Sequence, residues 1–358
     1  MSQDSLKLTT YFGERDRADG TFLASALMDL YGRRSFKTSV LLRGVEGFGV
    51  KHHLQTARLL TLSEDLPIVS VAVDSRERVR AALDDVTRLT SHGLVTLERA
   101  RLVSGAGDLD APLAGEHEAT KLTVYIGRQQ RLGGRPAYLS TVDLLRDCGV
   151  DGATVLLGVD GTVHGTRQRA RFFGANPEVP LMIIAIGRPE QIGEAVTQLG
   201  ERLAQPLMTL ERVRLCKRDG TQLAEPRHLP ETDPSGLGVW QKLMVYSGEQ
   251  SRHRGRPLQH ELIRKLREAG AAGATTLRGI WGYHGDHRPH GDVVWAIRRR
   301  VPLVTVIVDT PTRIRRWFEI VDELTDETGL VTSEMVPAFH ATGPDVERGG
   351  LRLARPLP

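Results

Sequence analysis

Three times along this chain the same ordered set of signals recurs, so the sequence encodes one small α/β unit copied in tandem. Each copy opens on Lys-Leu and runs through Tyr to Gly: Lys7-Leu8 to Tyr11 and Gly13, Lys121-Leu122 to Tyr125 and Gly127, and Lys242-Leu243 to Tyr246 and Gly248. A glycine turn is expected next, at Arg43-Gly44-Val45-Glu46-Gly47, Leu157-Gly158-Val159-Asp160-Gly161 and Arg278-Gly279-Ile280-Trp281-Gly282. Apolar runs follow with proline in second place, at Pro67, Pro180 and Pro302, and the copies close on Leu94 to Glu98, Leu207 to Glu211 and Leu330 to Glu334. A period of roughly 115 to 120 residues is one domain per copy, far longer than a solenoid unit.

Composition narrows the setting. Two cysteines, Cys148 and Cys216, in 358 residues offer no disulfide framework and no C-x-x-C pair, so both read as small buried hydrophobes in a reducing compartment. No apolar run approaches the ~20 residues that span a bilayer, and the first residues lack a signal-peptide pattern; a soluble, cytoplasmic protein is expected. A net charge of +4 gives little support to nucleic-acid binding, and no nucleic-acid partner is expected.

Within a copy, a short strand ending in glycine is followed by a helix whose apolar residues share one face, as for Phe22, Leu23, Ala26, Leu27 and Leu30. A second strand, a long loop, a third strand starting at the proline, a second helix and a closing strand complete the unit. The order β-α-β-β-α-β predicts an α+β protein of three tandem ferredoxin-like domains. They are expected at residues 5–103, 121–217 and 240–341, with linkers at 104–120 and 218–239 and a flexible tail at 342–358.

The connection between second and third strands is far longer than a hairpin needs, and long loops on rigid scaffolds are where binding tends to reside. These loops carry Lys51, His52 and His53 in the first copy, His164, Arg167, Arg169 and Arg171 in the second, and His284, Arg288 and Arg298 to Arg300 in the third. Charge runs of this kind also serve simply as solvated surface. Glycines at the loop bases favour an anion, because backbone N–H groups can approach it closely there.

The segment Arg43 to Gly49 followed by basic residues resembles the base of the T-loop in PII signalling proteins. With the Leu66-Pro67 run, Val73-Asp74-Ser75 and Gly93 to Glu98, the unit is more closely similar to the PII-like family known as domain of unknown function 190. The resemblance covers all three copies outside linkers and tail. It implies three PII-like domains closing as an intramolecular pseudo-trimer from a monomeric chain, with a small anionic adenine nucleotide (ATP, ADP, AMP or a cyclic dinucleotide) in the clefts and no required cofactor. The loops would then report to a partner such as a membrane transporter or ion channel. The ligand-binding residues so implied are Arg43, Gly44, Gly47, Phe48, Gly49 and Lys51 in the first copy. Gly158 and Gly161 correspond in the second, and Arg278, Gly279, Gly282 and Tyr283 in the third. The copies diverge where Phe48 is replaced by Thr162 and Tyr283, and Arg43 by Leu157, so unequal sites are expected, with the first loop base the most competent.

Arg43 and Arg278 suit a phosphate contact or a structural ion pair with Glu46 or another acidic neighbour; Glu14 and Glu249 sit at the same sheet end. Two other readings stand beside this one. His284, His287 and His290 could supply a metal site or an enzyme, although Gly285, Pro289 and Gly291 exclude the helix that would align them. A ligand-free adaptor gripping acidic partners through the basic loops is the third. No Walker A, H-E-x-x-H or G-x-S-x-G pattern is present, and the expectation is a protein without catalysis.

Overall fold

The computed structural model describes residues 3–49, 55–56, 65–105, 107, 117–163, 165–169, 179–284, 290–291, 301–343 and 346–357. The first copy comprises β1 (Gln3–Gly13), α1 (Leu23–Arg33), β2 (Thr38–Phe48), β3 (Pro67–Ser75), α2 (Arg76–Leu89) and β4 (Gly93–Val103). The second comprises β5 (Glu118–Gly127), α3 (Ala137–Asp147), β6 (Gly152–Val163), β7 (Pro180–Gly187), α4 (Pro189–Arg202) and β8 (Leu207–Arg218). The third comprises β9 (Trp240–Gly248), α5 (Leu258–Glu268), β10 (Ala274–His284), β11 (Pro302–Asp309), α6 (Pro311–Leu324) and β12 (Leu330–Val336), followed by β13 (Ala338–Gly343) and β14 (Val346–Gly350).

The expectation of three ferredoxin-like α+β domains arranged as a pseudo-trimer is overturned. The strands of all copies form one antiparallel sheet of 18 strands, and that sheet closes on itself. Pairing runs β1–β3–β2–β6–β7–β5–β8–β4 and back to β1. The third copy enters through β10, which pairs with both β2 and β6, and through β12 on β8 and β13 on β4. The molecule is a closed, mostly β barrel carrying six helices outside.

Strand length is the physical reason. Residues Thr38 to Arg43 of β2 pair with β3 in their own copy. The rest of β2, Gly44 to Phe48, runs on to pair with Leu277 to Ala274 of the third copy, while its first residues also pair with Gly158 to Val163 of the second. Pairing between copies gives these strands partners on both sides, which covers N–H and C=O groups that an edge would expose. The glycine turns expected at these places are likewise corrected: Gly44, Gly158 and Gly279 lie inside strands, at or beside register shifts in the pairing between copies.

Both faces of the long strands are buried. One core fills the barrel, joining Val40, Val71, Leu156, Ile184, Met244 and Val306 from all three copies. Three others lie outside, each between one copy's helices and the sheet. The segment expected as a flexible tail is docked instead: β13 and β14 pair, β13 extends the sheet on β4, and Ala354 N donates to Pro337 O at 2.8 Å. Arg355 N donates to Asp233 Oδ2 at 2.7 Å, which ties the end of the chain to the segment before β9.

Candidate functional site

Each long loop leaves the barrel at a seam between copies, and the repeated glycines and prolines are what let the seams close. A Cβ on Gly44 or Gly279 would lie 2.7 Å from Cγ of Pro67 or Pro302, and one on Gly158 would lie 2.5 Å from Pro180 O. One on Gly47 would lie 2.7 Å from Ala274 O of the third copy. Cβ atoms on Gly161 and Gly282 would collide with the carbonyls of Ser39 and Ala153 in the neighbouring copies. These glycines thus serve close backbone approach. Gly49 differs: it is exposed and nothing lies within 4 Å of its missing Cβ.

The divergent position plugs each seam. Phe48 is buried among the third copy's core residues Leu258, Leu262 and Ile263. Thr162 N donates to Ser39 Oγ at 3.0 Å, and its hydroxyl donates to Phe36 O at 3.3 Å, both in the first copy. Tyr283 enters the second copy's core and donates its hydroxyl to Val150 O at 3.0 Å; burial pushes that phenol well above its ordinary range. The three side chains follow one another cyclically, first copy into third, third into second, second into first.

At the outer rim, Arg43 pairs with Glu14 at 2.9 Å and Arg278 with Glu249 at 3.0 Å. The second copy has lost both members together, with Leu157 and Arg128 in their places. One turn of strand further in, Glu46 is buried and lies 2.6 Å from Nδ1 of His260 on the third copy's α5. Its counterpart Asp160 is 2.5 Å from Arg167, which also reaches Asp29 on α1 of the first copy. Lys51 and His287 lie outside the described residues, as does the side chain of His290. His284 is buried with Nδ1 3.6 Å from Asp219 of the second copy. The structure therefore brings Arg43, Gly44, Gly47, Phe48 and Gly49 together at one seam, Arg278, Gly279, Gly282 and Tyr283 at another, and Gly158 and Gly161 at a third without an arginine.

Sequence reasoning missed a second constellation. On the barrel axis, Lys7 lies opposite Glu98 in strand register, Lys121 opposite Glu211 and Lys242 opposite Glu334. Each ammonium also reaches the next copy's carboxylate, so six buried charges alternate in a ring. Lys7 meets Glu98 at 2.8 Å and also Glu211; Lys121 meets Glu211 at 3.2 Å and Glu334 at 2.6 Å; Lys242 meets Glu334 at 2.9 Å and Glu98 at 2.5 Å. Burial works against the charges of Lys7 and Lys242, yet the neighbouring carboxylates outweigh it and hold both above the ordinary lysine value. Burial likewise opposes ionisation of Glu98 and Glu334, and the lysines hold both below the usual carboxylate range. For Lys121, burial prevails, helped by the like charges of Lys242 and Lys7, and its value is lowered. The signal was available: these six residues are the ones that open and close every copy.

Residues 5–102, 119–215 and 240–338 match the DUF190 family, described as an uncharacterised ACR. The chain is also similar to a UPF0166 protein of Aquifex aeolicus (strain VF5), at 28% identity over 98 residues, which is 27% of this chain and 91% of that protein. The matched stretch has the length of a single copy. No helix among the described residues is long and apolar enough to cross a membrane.

Proposed function

The chain belongs to the DUF190 family, and on that premise we propose that it is a noncatalytic regulatory protein that binds an adenine nucleotide or a related small anion at the seams between its copies. Binding orders the long basic loops rooted there, and the ordered loops meet a partner such as a membrane transporter or channel. Such coupling is limited by the ligand's difference in affinity for the two loop states.

The observation that carries this reading is the rim ion pair. Arg43 with Glu14, and Arg278 with Glu249, place a half-exposed guanidinium at the root of a long loop. An exposed pair of this kind contributes at most about 1 kcal/mol, so a phosphate can displace the carboxylate and take a stronger, charge-assisted contact. The plugged seams restrict the ligand to the outer rim, beside Gly49 and the Arg43–Glu14 pair, since Phe48 and Tyr283 occupy the interior. Calorimetric titration with ATP, ADP, AMP and cyclic dinucleotides tests the reading. We expect binding by at least one of them that weakens in Arg43→Ala and Arg278→Ala; no heat from any at millimolar concentration would overturn it.

A further inference from the structure

The segments outside the three repeats build a cavity of their own. After β14 the chain passes back over the first copy, where Leu351 and Leu353 pack against that copy's core. The segment before β9 meets it there, with Leu237 packed on a small core of Leu229, Val239 and Ala354. The hydrogen bond from Arg355 N to Asp233 Oδ2 ties the two segments together. Between them and α2 lies a cavity of about 330 Å³, lined by Leu237, Leu351 and Leu353, by Arg80 of α2 and by Arg352, with Leu97 of β4 at its base.

This lining is apolar except for the two guanidiniums. Arg80 and Arg352 are both exposed, and neither has a hydrogen-bond, ion-pair or ring partner among the described residues. Arg78 on the same helix is held, by contrast, by Ser35 O at 2.6 Å and Asp74 at 3.6 Å. Two like charges bordering one apolar cavity repel each other, and an anion between them removes that repulsion.

The other copies lack this combination. At the position of Arg80 the second copy has Gly193, and the third has Arg315, which is committed to His228 Nδ1 at 3.2 Å and Thr312 Oγ1 at 3.5 Å. Leu97 corresponds to Leu210 and Ser333. Of the three, the first copy alone joins an unpaired arginine to a leucine floor, and it is the copy on which the C-terminal strands dock.

We propose that this cavity binds an amphipathic monocarboxylate, its carboxylate between Arg80 and Arg352 and its aliphatic chain among the leucines. A planar carboxylate matches the fork of a guanidinium, and the contact is charge-assisted. An amine would set a third cation beside two others, and leucines offer no hydrogen bond to a sugar, so neither a cation nor a nucleotide fits. The volume equals roughly eleven water molecules, which suits a ligand of about ten non-hydrogen atoms, the size of octanoate.

The test is calorimetry on the full chain with octanoate, run beside hexanoate, octylamine and acetate. We expect octanoate to bind at submillimolar concentration, with octylamine and acetate giving no heat. Hexanoate should bind up to about 15-fold more weakly, since a fully buried methylene contributes a factor of about four. Arg80→Gln and Arg352→Gln should each weaken octanoate about 10-fold, the effect of one lost charge-assisted hydrogen bond. Both side chains are exposed and without a partner, so the melting temperature of these variants should stay unchanged and the loss reports on binding. No binding of octanoate at millimolar concentration, octylamine binding as tightly, or affinity within about 2-fold of the parent in either variant would overturn the proposal. Neither arginine stands at a loop root, so nucleotide titrations of both variants should be unaltered, and the seam reading can fail or hold independently of this one.

Discussion

Replacing Lys242 by Met removes one charge from the axial ring while nearly preserving side-chain volume, so the consequence is electrostatic. Lys242 contacts Glu98 at 2.5 Å and Glu334 at 2.9 Å, and all three side chains are at most 4% exposed. After the change Glu98 retains Lys7 at 2.8 Å and Glu334 retains Lys121 at 2.6 Å, but the ring carries a net negative charge with no solvent to screen it. Breaking a buried ion pair costs about 3–5 kcal/mol. Two lost charge-assisted hydrogen bonds at about 1.5–3 kcal/mol each lead to the same range. Because both glutamates keep a partner, the lower end applies, about 3 kcal/mol, or roughly 4 °C in melting temperature for a chain of 358 residues unfolding as one barrel. Urea unfolding followed by circular dichroism measures it. Adding Glu98→Gln restores neutrality and should recover part of the loss, so the double variant is more stable than the two single losses summed. Replacing all six residues by apolar ones of similar size should be nearly neutral, since the desolvation of buried charges offsets much of their mutual attraction. A cost below about 1 kcal/mol for Lys242→Met, or additive losses in the double variant, would refute the reasoning.

Three further outcomes follow from the same structure. Glu98 and Glu334 are held below the usual carboxylate range, so their contribution to stability is fully present above about pH 4.5 and is lost as pH falls through their lowered values. Melting temperature should therefore be flat near neutrality and drop only in strong acid, whereas Lys242→Met should gain stability on mild acidification. Gly161→Ala forces a Cβ against Ser39 O across a seam and should cost several kcal/mol, while Gly49→Ala, with open space around it, should change stability by under about 0.5 kcal/mol in the same unfolding assay. Burial pushes the Cys216 thiol up to about 12, so at pH 8 a thiol reagent should modify half-buried Cys148 first and reach Cys216 only on unfolding; equal rates would contradict that burial.

Much of the local structure was legible. The helix periodicity at Leu23, Leu27 and Leu30 corresponds to the buried face of α1, although Phe22 stands exposed just before it, and the prolines at 67, 180 and 302 do begin strands. What could not be read was where strands continue beyond their own copy. Gly44 and Gly47 look like a turn because glycine permits one; they are there because Pro67 and the carbonyl of Ala274 come too close for a Cβ. The contact of Gly47 with Ala274 joins residues more than 200 positions apart, and no local window contains it. The charged ring was hidden differently. Lys7 and Glu98 are visible in the sequence only as residues that open and close a copy, yet helices outside and a barrel core inside bury both faces of their strands, which forces repeated charges to pair. Of the candidate site, the divergence of Phe48, Thr162 and Tyr283 was visible, but its meaning as a plug in the neighbouring copy requires the cyclic order of the seams.

The stoichiometry of nucleotide binding tests the functional account most directly. Seams rooted at Arg43 and Arg278 keep the rim ion pair, and the seam at Leu157 lacks it. Equilibrium titration of the intact chain should therefore give two sites per molecule, falling to one in either Arg43→Ala or Arg278→Ala. Three equivalent sites, or none, would contradict it.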